Sequence, residues 1–137
     1  FATVDLGNPH AVCLDRFGAA ELSRVGPEVS RLPAGGTNVE LVRGDGTRFE
    51  VLVWERGVGP TQACGTGACA VAAAACRDGR APHGTAIEVV LPGGSLSIVV
   101  QAATGDAEGA RVEMTGPARR VFRGAWPRGG AAPRREG

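Results

Sequence analysis

A long uncharged segment in the middle of the chain constrains the fold more than any other feature. Residues 65–76 read Gly-Thr-Gly-Ala-Cys-Ala-Val-Ala-Ala-Ala-Ala-Cys, and the first charge after them is Arg77. The second half of this segment has high helix propensity, and a helix that is apolar on all sides belongs in a core. Asp78-Gly79 is a typical helix end. The sequence therefore predicts a buried central helix.

Strand-like segments lie on both sides of this helix. Asp45-Gly46 and Pro92-Gly93-Gly94 are hairpin signals. Between residues 48 and 55, apolar side chains alternate with polar ones, which indicates a strand with one buried face. Residues 17–29 have helical spacing, while residues 7–10, 33–36 and 57–60 are expected to be turns or loops. We expect an α+β or α/β domain of six to eight strands curved around the central helix, with candidate strands at residues 1–6, 11–15, 37–43, 48–55, 87–91, 95–100, 111–115 and 120–122.

Length and composition exclude several classes of protein. A chain of 137 residues is long enough for one domain with a core. The net charge of +1 gives no general attraction to nucleic acid or membranes, and 4% aromatic residues with no Tyr argue against a base-stacking surface. No apolar run is long enough to span a bilayer. We therefore expect neither nucleic acid nor a membrane as a partner.

The ends of the chain and its four cysteines give further expectations. The chain opens at Phe1 and runs directly into strand-like sequence without a visible signal peptide, so we expect a piece of a longer polypeptide. Irregular gaps between the cysteines do not fit a secreted disulfide framework, which favours a cytoplasmic location. Residues 1–124 are expected to form the domain, and residues 125–137, rich in Gly, Ala, Pro and Arg, a disordered tail.

Cys64 directly precedes the predicted helix and is the candidate catalytic residue. The helix dipole and unpaired N–H groups at a helix start favour a thiolate. Gly65 and Gly67 leave the first turn free of side chains, so that a ligand can approach the backbone. The same N–H groups could hold a carboxylate. This combination suits removal of a proton from a carbon next to a carboxylate, although a small buried residue at a tight turn is the ordinary alternative.

Other chemistry for the cysteines fits less well. Cys69 and Cys76 lie within the apolar helix and are expected to fill the core. Their spacing from Cys64 does not match metal-ligand patterns, so no metal site is expected. Gly65-Thr66-Gly67 lacks the Gly-Lys-Ser/Thr that completes a phosphate-binding loop. A hydrolase dyad of Cys64 and His10 would lack an evident third group to orient it.

Polar residues in two loops and at two strand ends are the remaining candidates. Glu55 and Arg56 end a half-buried strand before the Cys64 segment and could clamp a zwitterion, Arg56 binding a carboxylate and Glu55 an ammonium group. Asn8 and His10 flank Pro9 in a predicted loop, where ligand contacts are common. Asn38 begins a strand. A solvated ion pair, ordinary turn chemistry and a local backbone hydrogen bond are the respective alternatives.

Five blocks of the sequence together resemble the diaminopimelate epimerase family. They are similar in order and spacing to the family's C-terminal domain over roughly residues 4–124, and so are far more specific than one motif. The blocks are Gly7-Asn8-Pro9-His10; Thr37-Asn38-Val39-Glu40; Trp54-Glu55-Arg56-Gly57 with Ala63-Cys64-Gly65-Thr66-Gly67-Ala68; Leu91-Pro92-Gly93-Gly94; and Met114-Thr115-Gly116-Pro117-Ala118 with Val121-Phe122.

The resemblance implies an α+β domain with a strongly curved, mostly antiparallel, barrel-like sheet around a central buried helix. It also implies an isomerase of lysine and peptidoglycan-precursor biosynthesis that interconverts LL- and meso-diaminopimelate without pyridoxal phosphate or metal. Cys64 would be one of two catalytic cysteines, and the N–H groups of Gly65 and Thr66 would bind the carboxylate at the reacting centre. Asn8, Asn38, Glu55 and Arg56 would contact the substrate, and His10 would lie near the reacting centre and help to set its protonation state.

In the family, the second cysteine belongs to an N-terminal domain that this chain lacks. The resemblance therefore implies that this missing domain is a partner, that the chain alone is inactive as an epimerase, and that the full-length protein could be a homodimer. Two alternatives stay open. One is a related cofactor-free racemase or isomerase of another amino or hydroxy acid, and the other is a non-catalytic binding remnant of the fold.

Overall fold

The central helix lies inside a curved sheet of eight strands. A computed structural model describes residues 1–103 and 109–126. The elements are β1 (Ala2–Asp5), β2 (Pro9–Cys13), α1 (Ala19–Val29), β3 (Asn38–Asp45), β4 (Arg48–Glu55), β5 (Gly59–Thr61), α2 (Gly65–Arg77), β6 (Ala86–Leu91), β7 (Gly94–Val100) and β8 (Val112–Thr115). The strands follow the order β1-β2-β3-β4-β6-β7-β8, with β5 paired to β4. The pairs β2–β3 and β4–β6 are parallel and the others antiparallel.

Helix α2 is surrounded by the concave face of the sheet. It contacts β1 and β8 at the two ends of the strand order as well as strands between them. Its alanines and Val71 are almost all buried, and they pack against strand residues such as Val12, Phe49 and Ile98 in one apolar cluster. Small alanine side chains let the strands approach the helix axis closely, while burial of apolar surface stabilises the arrangement. The predicted central core helix and the α+β fold class are confirmed.

Helix α1 covers the convex face of β3 and β4. Leu22 and Val25 pack there against Leu41 in a second, smaller cluster. Gly26 faces the Trp54 ring so closely that a Cβ atom at this position would lie 2.8 Å from two ring carbons. A glycine is therefore required where α1 crosses this tryptophan.

Most predicted elements are confirmed, with four differences. Strand β2 begins at Pro9, two residues earlier than expected, so that His10 is a strand residue rather than a loop residue. Residues 59 and 60 of the predicted loop, together with Thr61, form the short strand β5 on the edge of β4. Helix α1 begins at Ala19 instead of residue 17.

The fourth difference concerns the predicted last strand, residues 120–122, which forms no strand. Val121 and Phe122 are exposed there, because no described strand lies beside them to pair with. The predicted tail, residues 125–137, lies outside the described residues from 127 onward.

Within the described ranges, no helix combines the length and apolar character needed to cross a bilayer.

Candidate active site

Cys64 caps the N-terminus of α2. Its backbone is extended (φ −141°, ψ 110°), and its Sγ accepts a hydrogen bond from the Gly67 N–H at 3.3 Å. The Gly65 and Thr66 N–H groups also belong to the first turn, where no preceding turn of helix offers an acceptor. Cys64 is half-buried and Thr66 is exposed. The helix start therefore presents one sulfur and two backbone donors side by side, an arrangement that favours a bound anion.

The concave face of three neighbouring strands brings polar side chains to this helix start. Side chains alternate along a strand, so His10 of β2, Asn38 of β3 and Glu55 of β4 lie on the same face as the core residues Val12 and Val53. His10 pairs with Asn38 across β2 and β3. The predicted candidates therefore share one end of the sheet, below the helix that Cys64 caps.

Asn8 connects the turn before β2 to the helix start. Its Nδ2 donates to Thr66 Oγ1 at 3.3 Å, and the same hydroxyl lies 3.5 Å from Cys64 Sγ. Two polar contacts therefore link Asn8 through the Thr66 hydroxyl to the sulfur of Cys64. We infer that these contacts orient the Cys64 side chain and the first turn of α2.

Asn38 is held by backbone groups on both sides. Its Oδ1 accepts from the Arg56 N–H at 2.9 Å, and its Nδ2 donates to the Pro9 carbonyl at 3.3 Å. These bonds tie the end of β4 to the start of β2. Asn38 therefore makes the backbone hydrogen bonds that were its ordinary alternative. The same bonds hold the Arg56 backbone in a fixed position relative to β2.

Glu55 and Arg56 are held separately and do not form an ion pair with each other. Glu55 Oε1 accepts from Thr61 Oγ1 at 2.7 Å. Arg56 is exposed, and its Nη1 donates to the Gly35 carbonyl at 2.8 Å. Each charged group therefore keeps hydrogen-bonding capacity for a ligand.

A fully buried hydrogen-bonded pair of side chains lies beneath the first turn of α2. His10 Nδ1 and Glu40 Oε1 are 2.7 Å apart, and both side chains have 0% exposure. Burial raises the pKa of the Glu40 carboxyl; the hydrogen bond with His10 opposes this rise, and the charge of Glu55 adds to it. Glu40 Oε1 lies 2.9 Å from the position that a Cβ on Gly67 would occupy. The pair is thus packed directly against the turn that Cys64 caps.

The remaining cysteines have core surroundings. All four cysteines lie in the described part of the chain and are free thiols. Burial raises the pKa of Cys69, with a smaller contribution from Cys64, and burial also raises the pKa of Cys76. A raised pKa keeps the group as a neutral thiol, and the neutral thiol is a weak nucleophile and a poor base. Among residues 1–103 and 109–126, no group of three His, Cys, Asp or Glu side chains could hold a metal ion.

Sequence reasoning missed two residues of this site, Glu40 and Thr61. Glu40 was noted within a motif but not as a site residue, although it is the only charged position between Asn38 and Val42. It shares the concave face with Asn38 two positions earlier, and this spacing was the available signal. Thr61 directly follows the predicted loop of residues 57–60 and ends the short strand β5, so its contact with Glu55 has no signal in the sequence.

Fold and site together define a class of domain. Its curved sheet encloses an apolar helix, and that helix presents a capping cysteine and open N–H groups beside the polar end of three strands. Residues 2–121 match the family model described as diaminopimelate epimerase. The chain belongs to the diaminopimelate epimerase family, and so to a family of isomerases.

Curated relatives support the assignment to this family, and they are longer than this chain. The diaminopimelate epimerase of Desulfitobacterium hafniense is 42% identical over 90% of this chain and 42% of its own length. That of Carboxydothermus hydrogenoformans is 44% identical over 92% of this chain and 44% of its own length. The chain therefore spans less than half the length of these curated relatives.

A solved structure shows the same fold at low sequence identity. The phenazine biosynthesis protein of the PhzF family from Bacillus anthracis superposes with a TM-score of 0.60 at 17% identity. The match covers 80% of this chain and 35% of that protein. It supports the fold class alone.

Proposed function

We propose that this chain is the C-terminal catalytic half of a cofactor-independent epimerase that interconverts LL- and meso-diaminopimelate. The observation that carries the proposal is Cys64 at the N-terminus of α2, with the open N–H groups of Gly65 and Thr66 beside it. A thiolate removes a proton from carbon only where the resulting negative charge is stabilised. The helix start supplies such stabilisation for the substrate carboxylate next to the reacting carbon.

Each polar residue then has a definable task. The Gly65 and Thr66 N–H groups bind the carboxylate at the reacting centre, and Cys64 exchanges the proton on one face of the α-carbon. Asn8, Asn38, Glu55 and Arg56 contact the charged groups of the diamino diacid. Glu55 suits an ammonium group and Arg56 a carboxylate, because each keeps free hydrogen-bonding capacity. His10 acts beside the reacting centre.

Inversion needs a second proton carrier on the opposite face of the substrate. Cys69 and Cys76 lie on the same helix as Cys64, and Cys13 lies on β2 against the convex-side cluster. None is placed to face Cys64 across a substrate. We propose that an N-terminal domain, absent from this chain, supplies the second cysteine, that the chain alone does not epimerise, and that the complete enzyme works in lysine and peptidoglycan-precursor synthesis in the cytoplasm.

The isolated chain offers a direct test. It is incubated in D₂O with LL-diaminopimelate, and both conversion to the meso isomer and deuterium at the α-carbon are measured. We expect no conversion. Conversion that disappears in Cys64→Ala would overturn the claim that one half is insufficient.

A panel of other amino acids, run in parallel, tests the substrate class. We expect any deuterium exchange to be confined to diaminopimelate and to require Cys64. Faster exchange with an amino acid that has one carboxylate would instead support a related racemase.

A further inference from the structure

Each side chain of the His10–Glu40 pair has one buried polar atom without a hydrogen-bond partner among the described residues. Within the described residues, His10 Nε2 and Glu40 Oε2 are buried and have no hydrogen-bond partner, although Nδ1 and Oε1 bond to each other at 2.7 Å. Buried polar atoms are nearly always paired, and an exception calls for an explanation, of which a catalytic role is one. Because Glu40 occupies Nδ1, the ring can contact any further group only through Nε2.

The net charge of the pair decides whether Nε2 donates or accepts a hydrogen bond. A buried net charge is strongly unfavourable, and the Glu55 carboxylate nearby further disfavours a net charge of −1. The neutral pair is either carboxylate with imidazolium or carboxylic acid with imidazole. In both forms the shared proton lies between Oε1 and Nδ1, so Nε2 carries a hydrogen. A third neutral form, with the acid proton on Oε2 and the ring hydrogen on Nδ1, would leave Nε2 without a hydrogen and would contradict the proposal below.

We propose that Glu40 is a positioning residue that fixes His10 in place and keeps Nε2–H a hydrogen-bond donor in the pair beneath the first turn of α2. Glu40 would act through His10 and would not touch the substrate. A Cβ atom on Gly67 would lie 2.9 Å from Glu40 Oε1 and 3.3 Å from Cys64 Sγ. The two atoms therefore flank the same small space, and the pair lies beside the reacting sulfur. For catalysis, the inference rests on the proposed epimerase function.

The charged and titratable groups around the pair are few and come from each element packed on it. Glu55 on β4 acts on the Glu40 carboxyl through its charge. Cys64 on α2 approaches the Gly67 position that Glu40 Oε1 also approaches. No described arginine is among the groups that shift the Glu40 pKa, so the proton shared with His10 balances the carboxylate charge.

Nitrogen NMR of the imidazole rings tests the geometry without any assay of activity. The chain has two histidines; His10 is buried and His83 is exposed, so His83 serves as an internal control. We expect His10 to show a protonated Nε2 between pH 6 and 8 and a low-field signal from the proton shared with Glu40. His83 should lack this low-field signal.

Glu40→Gln then removes the carboxylate and keeps its shape, and the low-field signal should disappear. Glu50→Gln is the matched control, because it removes a carboxylate from the exposed surface of the neighbouring strand, and it should leave His10 unchanged. A wild-type His10 whose Nε2 carries no hydrogen, or a Glu40→Gln spectrum identical to wild type, would overturn the proposal. The wild-type spectrum decides the matter even if the variant does not fold.

The catalytic consequence is measured in a protein in which this chain follows an N-terminal half that carries the second cysteine. Glu40→Gln should lower kcat at least about tenfold with KM changed less than about twofold, since a lost orienting carboxylate impairs proton transfer more than binding. Unchanged kcat with the expected NMR result would refute the catalytic role. If Cys64→Ala also leaves kcat unchanged, the proposed function itself fails.

Discussion

Gly67→Ala should destabilise the protein even though alanine is the better helix former. Alanine in a helix gains about 1 kcal/mol over glycine. Against this gain, the new Cβ would lie 2.9 Å from Glu40 Oε1 and 3.3 Å from both Cβ and Sγ of Cys64. Glu40 is fully buried, so its carboxylate can retreat only by weakening the 2.7 Å bond to His10.

The size of the effect follows from these terms. Overpacking costs about 1–3 kcal/mol, and a charge-assisted hydrogen bond contributes about 1.5–3 kcal/mol. If Glu40 moves, the overlap with the new Cβ is relieved but the hydrogen bond to His10 is weakened. The overpacking cost and the hydrogen-bond cost therefore do not add, and the total is about 2–3 kcal/mol. After the helix gain is subtracted, the free energy of unfolding should fall by about 1–2 kcal/mol, which lowers a urea midpoint by roughly 0.5–1 M.

Gly65→Ala is the matched control in the same helical turn. Its Cβ would meet only the Sδ and Cε atoms of Met114, at 3.2 and 3.3 Å. Met114 is 52% exposed, so the end of this flexible side chain can move aside. Urea unfolding should place this variant within about 0.5 kcal/mol of wild type or slightly above it. If Gly67→Ala is as stable as Gly65→Ala, the packing of Glu40 against α2 is not as described.

Three further predictions concern the core, α1 and the pH dependence of stability. Phe49→Ala empties a fully buried position and should lower the free energy of unfolding by about 3–5 kcal/mol in thermal melts, whereas a loss below about 1 kcal/mol would mean that the site collapses freely. Gly26→Ala brings a Cβ to 2.8 Å from the Trp54 ring and should cost about 1–3 kcal/mol with altered near-UV circular dichroism, and an unchanged spectrum would contradict this contact. Because the folded pKa of Glu40 is raised, its contribution to stability is complete below the unfolded pKa and is lost as pH rises through the folded pKa. Wild type should therefore lose stability relative to Glu40→Gln as pH rises above about 4.5, by about 1.4 kcal/mol per unit of pKa difference, and a difference that is constant with pH would contradict the assignment.

Local patterns in the sequence are sufficient to predict the central helix and most strands. The uncharged run of α2 and the alternation in β4 depend only on the residues themselves, and hairpin signals fix the strand ends beside them. The boundaries of β2 could not be predicted, because pairing with β1 extends the strand through Pro9 and pairing with β3 begins at His10. Residues 120–122 have strand-like sequence, but no described strand is available to pair with them.

The candidate site was predictable residue by residue but not as a set of contacts. Cys64 carries its own signal, since glycines and a helix start surround it. The link from Asn8 to Thr66 joins residues 58 positions apart, and the pair of His10 and Glu40 joins β2 to β3. Contacts of this kind depend on strand order, which no local pattern specifies. The resemblance to a family supplied roles for His10 and Glu55 but none for Glu40.

The central claim is that Cys64 carries the proton on one face of diaminopimelate. The most direct measurement is deuterium incorporation at the α-carbon during conversion of LL-diaminopimelate in D₂O. The chain is fused behind the N-terminal half of the Carboxydothermus hydrogenoformans relative, and wild type is compared with Cys64→Ala and Cys69→Ala. Cys69 is the matched control, because it is a half-buried cysteine on the same helix.

We predict that the fused wild-type protein converts the substrate with deuterium at the α-carbon. Cys64→Ala should lower this rate by at least about a thousandfold, whereas Cys69→Ala should stay within a few-fold of wild type. Conversion that survives Cys64→Ala at a rate close to wild type would contradict the account.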